Sequence, residues 1–334
     1  MQSGGLSNIS TAGLFMRTLP YVFMRMLVYF LCGLALIFFL GLMGAIGFLV
    51  ASLFQGAGLP LAVIALIAIM GTISLYVLFQ RYVLYLVKAA HVSVITEILL
   101  KGNLPPGTNQ IAYGKDKVLK HFGSASALFM VDQLVAGTVR QVLNWLSRMA
   151  GCLGSIPGMN LLISIMRRIL SLAANYIDEA IMSYIVSHED QDVWQAASDG
   201  VVLYAQSWKQ LLGTATVFVL FVAVAWTVGF LVILLPLLGV ARALTPDSAL
   251  QALYGFIALF FAFVSANIIK WALVDPMATV AMVAGYNRAI QGQAPSYDLR
   301  ATLSGVSSKF RQMTQKAAEQ RPPQASPPGP SIAG

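Results

Sequence analysis

Residues 169–213 read ILSLAANYIDEAIMSYIVSHEDQDVWQAASDGVVLYAQSWKQLLG. Six of the chain's 13 acids fall here: Asp178, Glu179, Glu189, Asp190, Asp192 and Asp199. Tyr176, Tyr184, Trp194, Tyr204 and Trp208 accompany them. The flanks are apolar on both sides. Apolar helices do not need such a connector in order to fold, so the connector is where purpose is sought. The reading of its first part also decides how often the chain crosses a membrane.

The 334 residues are 58% hydrophobic and 10% charged, with a mean hydropathy of +0.75. Soluble domains carry about 25% charged residues, so the deficit points to lipid. Four apolar runs reach the roughly 20 residues that a spanning helix needs: 26–54, 61–79, 211–240 and 250–274. The net charge of +8 belongs to cytoplasmic loops in such a chain and is no nucleic-acid footprint. If the tight turns 55–60, 150–158 and 240–249 face outward, the basic segments 81–120, 209, 270 and 288–321 face the cytoplasm, with both termini. The location expected is a plasma membrane, the inner membrane in a bacterium. Cys32 and Cys152 have no metal spacing.

The regions follow in order. Residues 1–20 form a polar arm. Residues 21–101 form a first transmembrane hairpin with a helical extension, stopped at Gly102-Asn103-Leu104-Pro105-Pro106. Residues 102–123 are a basic loop. Residues 124–187 form a mixed hairpin around the uncharged turn 150–158. Residues 188–209 are an amphipathic helix, for which Ser187 and Asp190 both suit as N-caps. Residues 210–290 form the last hairpin, broken or kinked at Asp275-Pro276. The tail 291–334 is expected to be disordered from about 315 by its proline-rich composition.

The mixed helices 124–149 and 159–187 carry Asp132, Arg140, Arg167, Arg168, Asp178 and Glu179. A charge at bilayer centre costs about 2.5–3.5 kcal/mol even on the lenient scale. Spanning helices therefore need these charges paired or lining a wet cavity. An antiparallel hairpin brings Asp132 towards Asp178. The expectation adopted is an all-α integral membrane protein with about six transmembrane helices, four strong and two mixed. In the alternative, the mixed hairpin lies on the cytoplasmic face as an amphipathic platform.

A weak internal repeat links the two greasy hairpins. Arg81-Tyr82 parallels Lys270-Trp271, Lys101-Gly102-Asn103-Leu104-Pro105 parallels Gln291-Gly292-Gln293-Ala294-Pro295, and Lys120-His121-Phe122 parallels Ser308-Lys309-Phe310. Both copies would share one orientation, as in parallel transporter repeats.

Three segments resemble the choline transporter-like family. His121-Phe122-Gly123-Ser124-Ala125-Ser126-Ala127 is similar to its His-x-Gly-Ser-x-Ala motif, which opens a membrane helix. Trp194 to Leu203, around Asp199-Gly200, looks like its cytoplasmic Ser-Ala-x-Asp-Ala-Phe-x-Leu helix. Val274-Asp275 resembles the segment after its last span. The resemblance covers about residues 115–310 and implies movement of choline or a related amine. Family members have about ten spans and a large outer loop after the first, which this chain does not show. A homo-oligomer would then be needed to complete a pathway.

A quaternary ammonium is held by aromatic faces and a nearby carboxylate. Tyr176, Asp178 and Glu179 offer such groups on one helix, with Asp132 and Trp145 on the preceding one. These five are the expected substrate-binding residues. The competing reading makes Tyr176 and Tyr184 a packing stripe and the acids a solvated face. No metal site, phosphate loop, nucleophile elbow or HExxH helix is present, and the three histidines are read as loop or helix-boundary residues. No enzyme and no cofactor are expected. Glycine in Asp199-Gly200 costs about 1 kcal/mol inside a helix and implies close packing, expected against a membrane span.

Two functions follow. One is a carrier of a small organic cation with 124–187 as its pathway. The other is a non-transporting scaffold whose basic face binds anionic lipid of the cytoplasmic leaflet, or partner proteins. An oligomeric channel is a third reading.

Overall fold

A computed structural model describes residues 9–54, 58–122, 125–151, 176–244 and 248–320. All regular structure among them is helical. In order, α1 (Thr11–Arg17) leads to α2 (Leu19–Leu53) and α3 (Gly58–Leu78). A π-helical segment (Phe79–Leu84) then continues into α4 (Tyr85–Lys101). Next come α5 (Gln110–Phe122), α6 (Ala125–Gly151), α7 (176–187) and α8 (Val193–Gln206). The second half holds α9 (Trp208–Leu244), α10 (Ser248–Ile269), a π segment (Lys270–Val274), α11 (Asp275–Ala289), α12 (Tyr297–Val306) and α13 (Ser308–Glu319).

Among the described residues, four continuous helices are long and apolar enough to cross a bilayer: Leu19–Leu53, Gly58–Lys101, Trp208–Leu244 and Leu250–Ala289. In the first two the most apolar stretch contains no buried residue, and in the last two only 11% and 18% of it is buried. Their apolar side chains point outward, as lipid-facing surfaces must. The core sits elsewhere. Tyr21, Ile95, Leu99, Val135, Ile181, Leu203, Tyr286 and Phe310 pack into one cluster. They come from the start of α2 and from α4, α6, α7, α8, α11 and α13. The protein is thus two greasy hairpins rising from a packed helical domain.

The two halves repeat each other. Thr18 ends α1 at φ −100°, ψ 10°, and Ser207 ends α8 at φ −95°, ψ 10°; each is followed at once by a long apolar helix. A π segment lies at the same place in both hairpins. In the second half Pro276, which has no N–H to give, sits just after it. Both extensions reach a left-handed glycine at their ends, Gly102 at φ 82° and Gly292 at φ 74°, as the breaker reading expects. The short helices are then tied back to the loops beyond. Arg17 Nη1 donates to the Gly102 carbonyl (2.9 Å) and Gln110 Nε2 to the Arg17 carbonyl (2.8 Å). In the second half Gln206 Nε2 donates to the Ala294 carbonyl (3.1 Å) and Ser296 N to Gln206 Oε1 (2.8 Å). α4 and α11 pack on each other where the halves meet.

Several expectations change. α6 forms, but it is not among the four long apolar helices. Val131, Leu134, Val135, Thr138 and Val139 make one buried face, and α6 packs on α8 and α13. Gln141 clamps the start of α13: its Oε1 accepts from Ser307 Oγ (2.7 Å) and Lys309 N (3.2 Å). The turn 152–158, Cys152, Arg167, Arg168 and the first part of the 159–187 helix lie outside the described residues, as do Gly123 and Ser124. The cap of α8 is Asp192, which accepts from Trp194 N (3.0 Å) and Gln195 N (3.2 Å), rather than Ser187 or Asp190. Residues 315–319 are helical, with Ala317 buried. His91 lies mid-helix, fully buried and stacked on Tyr21, and not at a boundary.

Gly200 does mark close packing, against α7 and against the extension of the Leu250–Ala289 helix. A Cβ there would stand 3.0 Å from Ile181 Cγ2 and 3.5 Å from the Tyr286 hydroxyl. Tyr286 Oη donates to the Gly200 carbonyl (2.9 Å). Asp199 beside it pairs with Arg300 of α12, whose Nη1 also donates to Ser198 Oγ (2.9 Å).

Candidate functional site

The polar groups expected to serve a substrate gather where the hairpins enter the helical domain. Lys88 on α4 forms an ion pair with Glu179 and lies 3.8 Å from Asp178 Oδ2. Asp132 on α6 stands beside Asp178 and the Tyr85 hydroxyl, although its Oδ1 meets no donor in hydrogen-bond geometry among the described residues. The approach of Asp132 to Asp178 is the one an antiparallel hairpin implies.

On the other side of Glu179, Tyr176 Oη donates to Asp275 Oδ1 at 2.7 Å. Lys270 Nζ donates to both oxygens of Asp275, at 2.9 and 3.0 Å. Arg25, 5% exposed, lies between, within electrostatic reach of Glu179 and Asp275. Tyr29 stacks on Trp271 (centroids 6.1 Å apart) and joins the two hairpins at this level.

Local sequence explains the placement. α7 is buried all round: Ile177, Ala180, Ile181, Ser183 and Ile185 are as inaccessible as Tyr176, and Glu179 is 3% exposed. The solvated-face reading of Glu179 therefore fails, whereas Tyr176 and Tyr184 are packed residues, as the stripe reading holds. Trp145 is half-buried and lies 13 residues along α6 from Asp132, about 20 Å at the helical rise, so it is no part of this group. Missed in the sequence were the cations Lys88, Arg25 and Lys270 and the further acid Asp275 that Lys270 pairs with. Their local signal was a position flanking an apolar run, Arg25 before the first and Lys88, Lys270 and Asp275 at or beyond the ends of later ones.

The cluster sets the cations Arg25, Lys88 and Lys270 against the acids Asp132, Asp178, Glu179 and Asp275. One carboxylate is in excess. Among the described residues, α6 and the 176–187 stretch of α7 lie outside the four apolar helices. Burial, then the Asp178 charge, pushes the Asp132 and Glu179 carboxyls up to about 8, with Lys88 acting against both. The Asp132 and Glu179 carboxyls therefore hold a proton to higher pH than free carboxylates do.

Because the folded chain holds this proton more tightly than the unfolded chain, the stabilisation is full below the ordinary carboxylate value. It is lost as pH rises through the raised folded value. The melting temperature of detergent-solubilised protein is expected to fall between about pH 6 and 9, and Asp132→Asn with Glu179→Gln should flatten the slope. A profile that is flat or rises in the unsubstituted protein would contradict the proton assignment.

As chemistry, this arrangement is a matched ionic joint between four helices and α7. Comparison with protein-family models, with characterised proteins and with solved structures finds no match for this chain.

Proposed function

We propose that the protein is a non-transporting membrane scaffold. Four helices cross the bilayer, while α6 and α7 sit with α8 and α13 in a domain on the cytoplasmic face. One observation carries the reading: Glu179 and Asp275, two of the buried carboxylates that would hold an organic cation, already pair with Lys88 and Lys270. An amine would have to displace a lysine that is covalently part of the site. The Tyr176 ring is packed away and its hydroxyl is engaged. Around this joint the domain presents exposed Lys115 and Lys120 on α5. Cations of this kind attract an anionic leaflet by about 1 kcal/mol each.

The carrier reading has one observation on its side, the single excess carboxylate, and a homo-oligomer would be needed to build its pathway. Uptake of labelled choline, ethanolamine and betaine into proteoliposomes separates the two. The scaffold predicts uptake equal to protein-free vesicles, in protein shown to be folded. Saturable uptake that Glu179→Gln abolishes would overturn it in favour of the carrier.

A further inference from the structure

The internal repeat exposes one place where the halves differ. Counting from Thr18 and Ser207, Tyr21 corresponds to Gln210; counting back from Gly102 and Gly292, His91 corresponds to Ala281. In the first half Tyr21 and His91 are both fully buried and stack at 5.3 Å with planes 7° apart. In the second half the aromatic pair is replaced by an amide and a methyl group. The space between α1, α9 and α11 is a cavity of about 380 Å³.

The cavity is lined by Thr11, Gln210, Thr214, Phe218, Gly285 and Arg288, among others. Among the described residues its one charged lining residue is Arg288, whose Nη2 donates to the Ile9 carbonyl at 2.8 Å. That bond holds the guanidinium across from α11 to the segment before α1. Two hydroxyls and an amide supply further donors. Helices α9 and α11 come close at Gly285, where a Cβ would stand 3.2 Å from Thr214 Cγ2.

Position adds to chemistry. α9 turns apolar from Leu211, so Thr214 and Phe218 lie one and two turns into the lipid-facing stretch. Trp208, 45% exposed, sits under the Lys209 ammonium just before the cavity residues begin. A tryptophan with a basic neighbour is the usual residue pair at headgroup level. The positive charge disfavours an amine. Guanidinium with hydroxyl donors matches phosphate oxygens, and Phe218 offers an apolar wall beside them.

We infer that this cavity binds a phosphate group, as carried by the headgroup of an anionic phospholipid. The inference does not rest on the scaffold reading, since a carrier could hold the same headgroup; the uptake assay and the binding assay fail separately.

The test uses the full chain in detergent. Retained lipid is counted by native mass spectrometry, and melting shifts are recorded with phosphatidylglycerol, phosphatidic acid, phosphatidylcholine, glycerol phosphate and inorganic phosphate. Anionic lipid should be retained over phosphatidylcholine. Arg288→Gln should weaken it about tenfold or more, the usual effect of losing a charged hydrogen bond. Because that change also frees Ile9, Gln210→Tyr serves as the second variant. It restores the aromatic of the first half, narrows the cavity and leaves Arg288 in place, and it should weaken retention. Saturation by the soluble phosphates with displacement of lipid would sustain the phosphate site and assign its source as a free anion. Equal retention of phosphatidylcholine, or retention untouched in both Arg288→Gln and Gln210→Tyr, would overturn the proposal.

Discussion

Lys88→Met will lower the unfolding free energy by about 3 kcal/mol, the lower end of the range for breaking a buried ion pair. The lower end applies because Lys88 keeps a quarter of its side chain accessible, while Glu179 keeps 4%. Methionine keeps the length and apolar stem of lysine but leaves Glu179 and Asp178 buried without their shared cation. The loss is one of unpaired charge, so it should be recoverable. Adding Glu179→Gln to Lys88→Met removes a charge that no longer has a partner and should restore more than half of the stability. Denaturant titration in micelles, run as a double-mutant cycle, reads both effects. If Lys88→Met and Glu179→Gln simply add, the ionic joint does not exist.

The second large effect lies at the far end of the domain. Phe310 on α13 is fully inaccessible, as is Met313 one turn on, and both belong to the main core. Phe310→Ala should cost about 3–5 kcal/mol, the range for emptying a buried aromatic site. It should also release α13. Lys316 stands 5.0 Å over the Trp194 ring, so release changes the tryptophan signal and exposes Lys309, Arg311 and Lys316 to trypsin. Cleavage within α13 should quicken well before the rest of the chain opens. Unchanged melting and unchanged cleavage would mean that α13 does not belong to the core.

The sequence makes the greasy part of this molecule plain. Long runs without charges admit few alternatives, and the four apolar helices stand where those runs do. The repeat is legible too, through its breakers: Gly102 and Gly292 have left-handed backbones because each ends an extension before a proline-containing loop. Less legible is which helix meets which. Nothing near Lys88 in sequence announces that its partner lies on α7, so the acids of α7 look like a substrate site when read alone. Asp192 caps α8 in place of Asp190 because Trp194, Ala197 and Val201 must face the core, a requirement set by tertiary packing. α6 reads as a mixed spanning helix because its apolar face suits lipid as well as protein. In the structure it packs on α8 and α13, which are distant in sequence.

Side-specific cysteine labelling tests the placement of that helix most directly. In a background with the native cysteines replaced by serine, single cysteines are introduced at Pro106, between α4 and α5, at Arg148, near the end of α6, and at Leu59, at the start of α3. Sealed vesicles of both orientations are then treated with a membrane-impermeant maleimide. With four spans and α6 in the cytoplasmic domain, Arg148→Cys labels from the same side as Pro106→Cys and from the side opposite to Leu59→Cys. If α6 crosses the bilayer, Arg148→Cys labels with Leu59→Cys instead, and the scaffold reading falls with it.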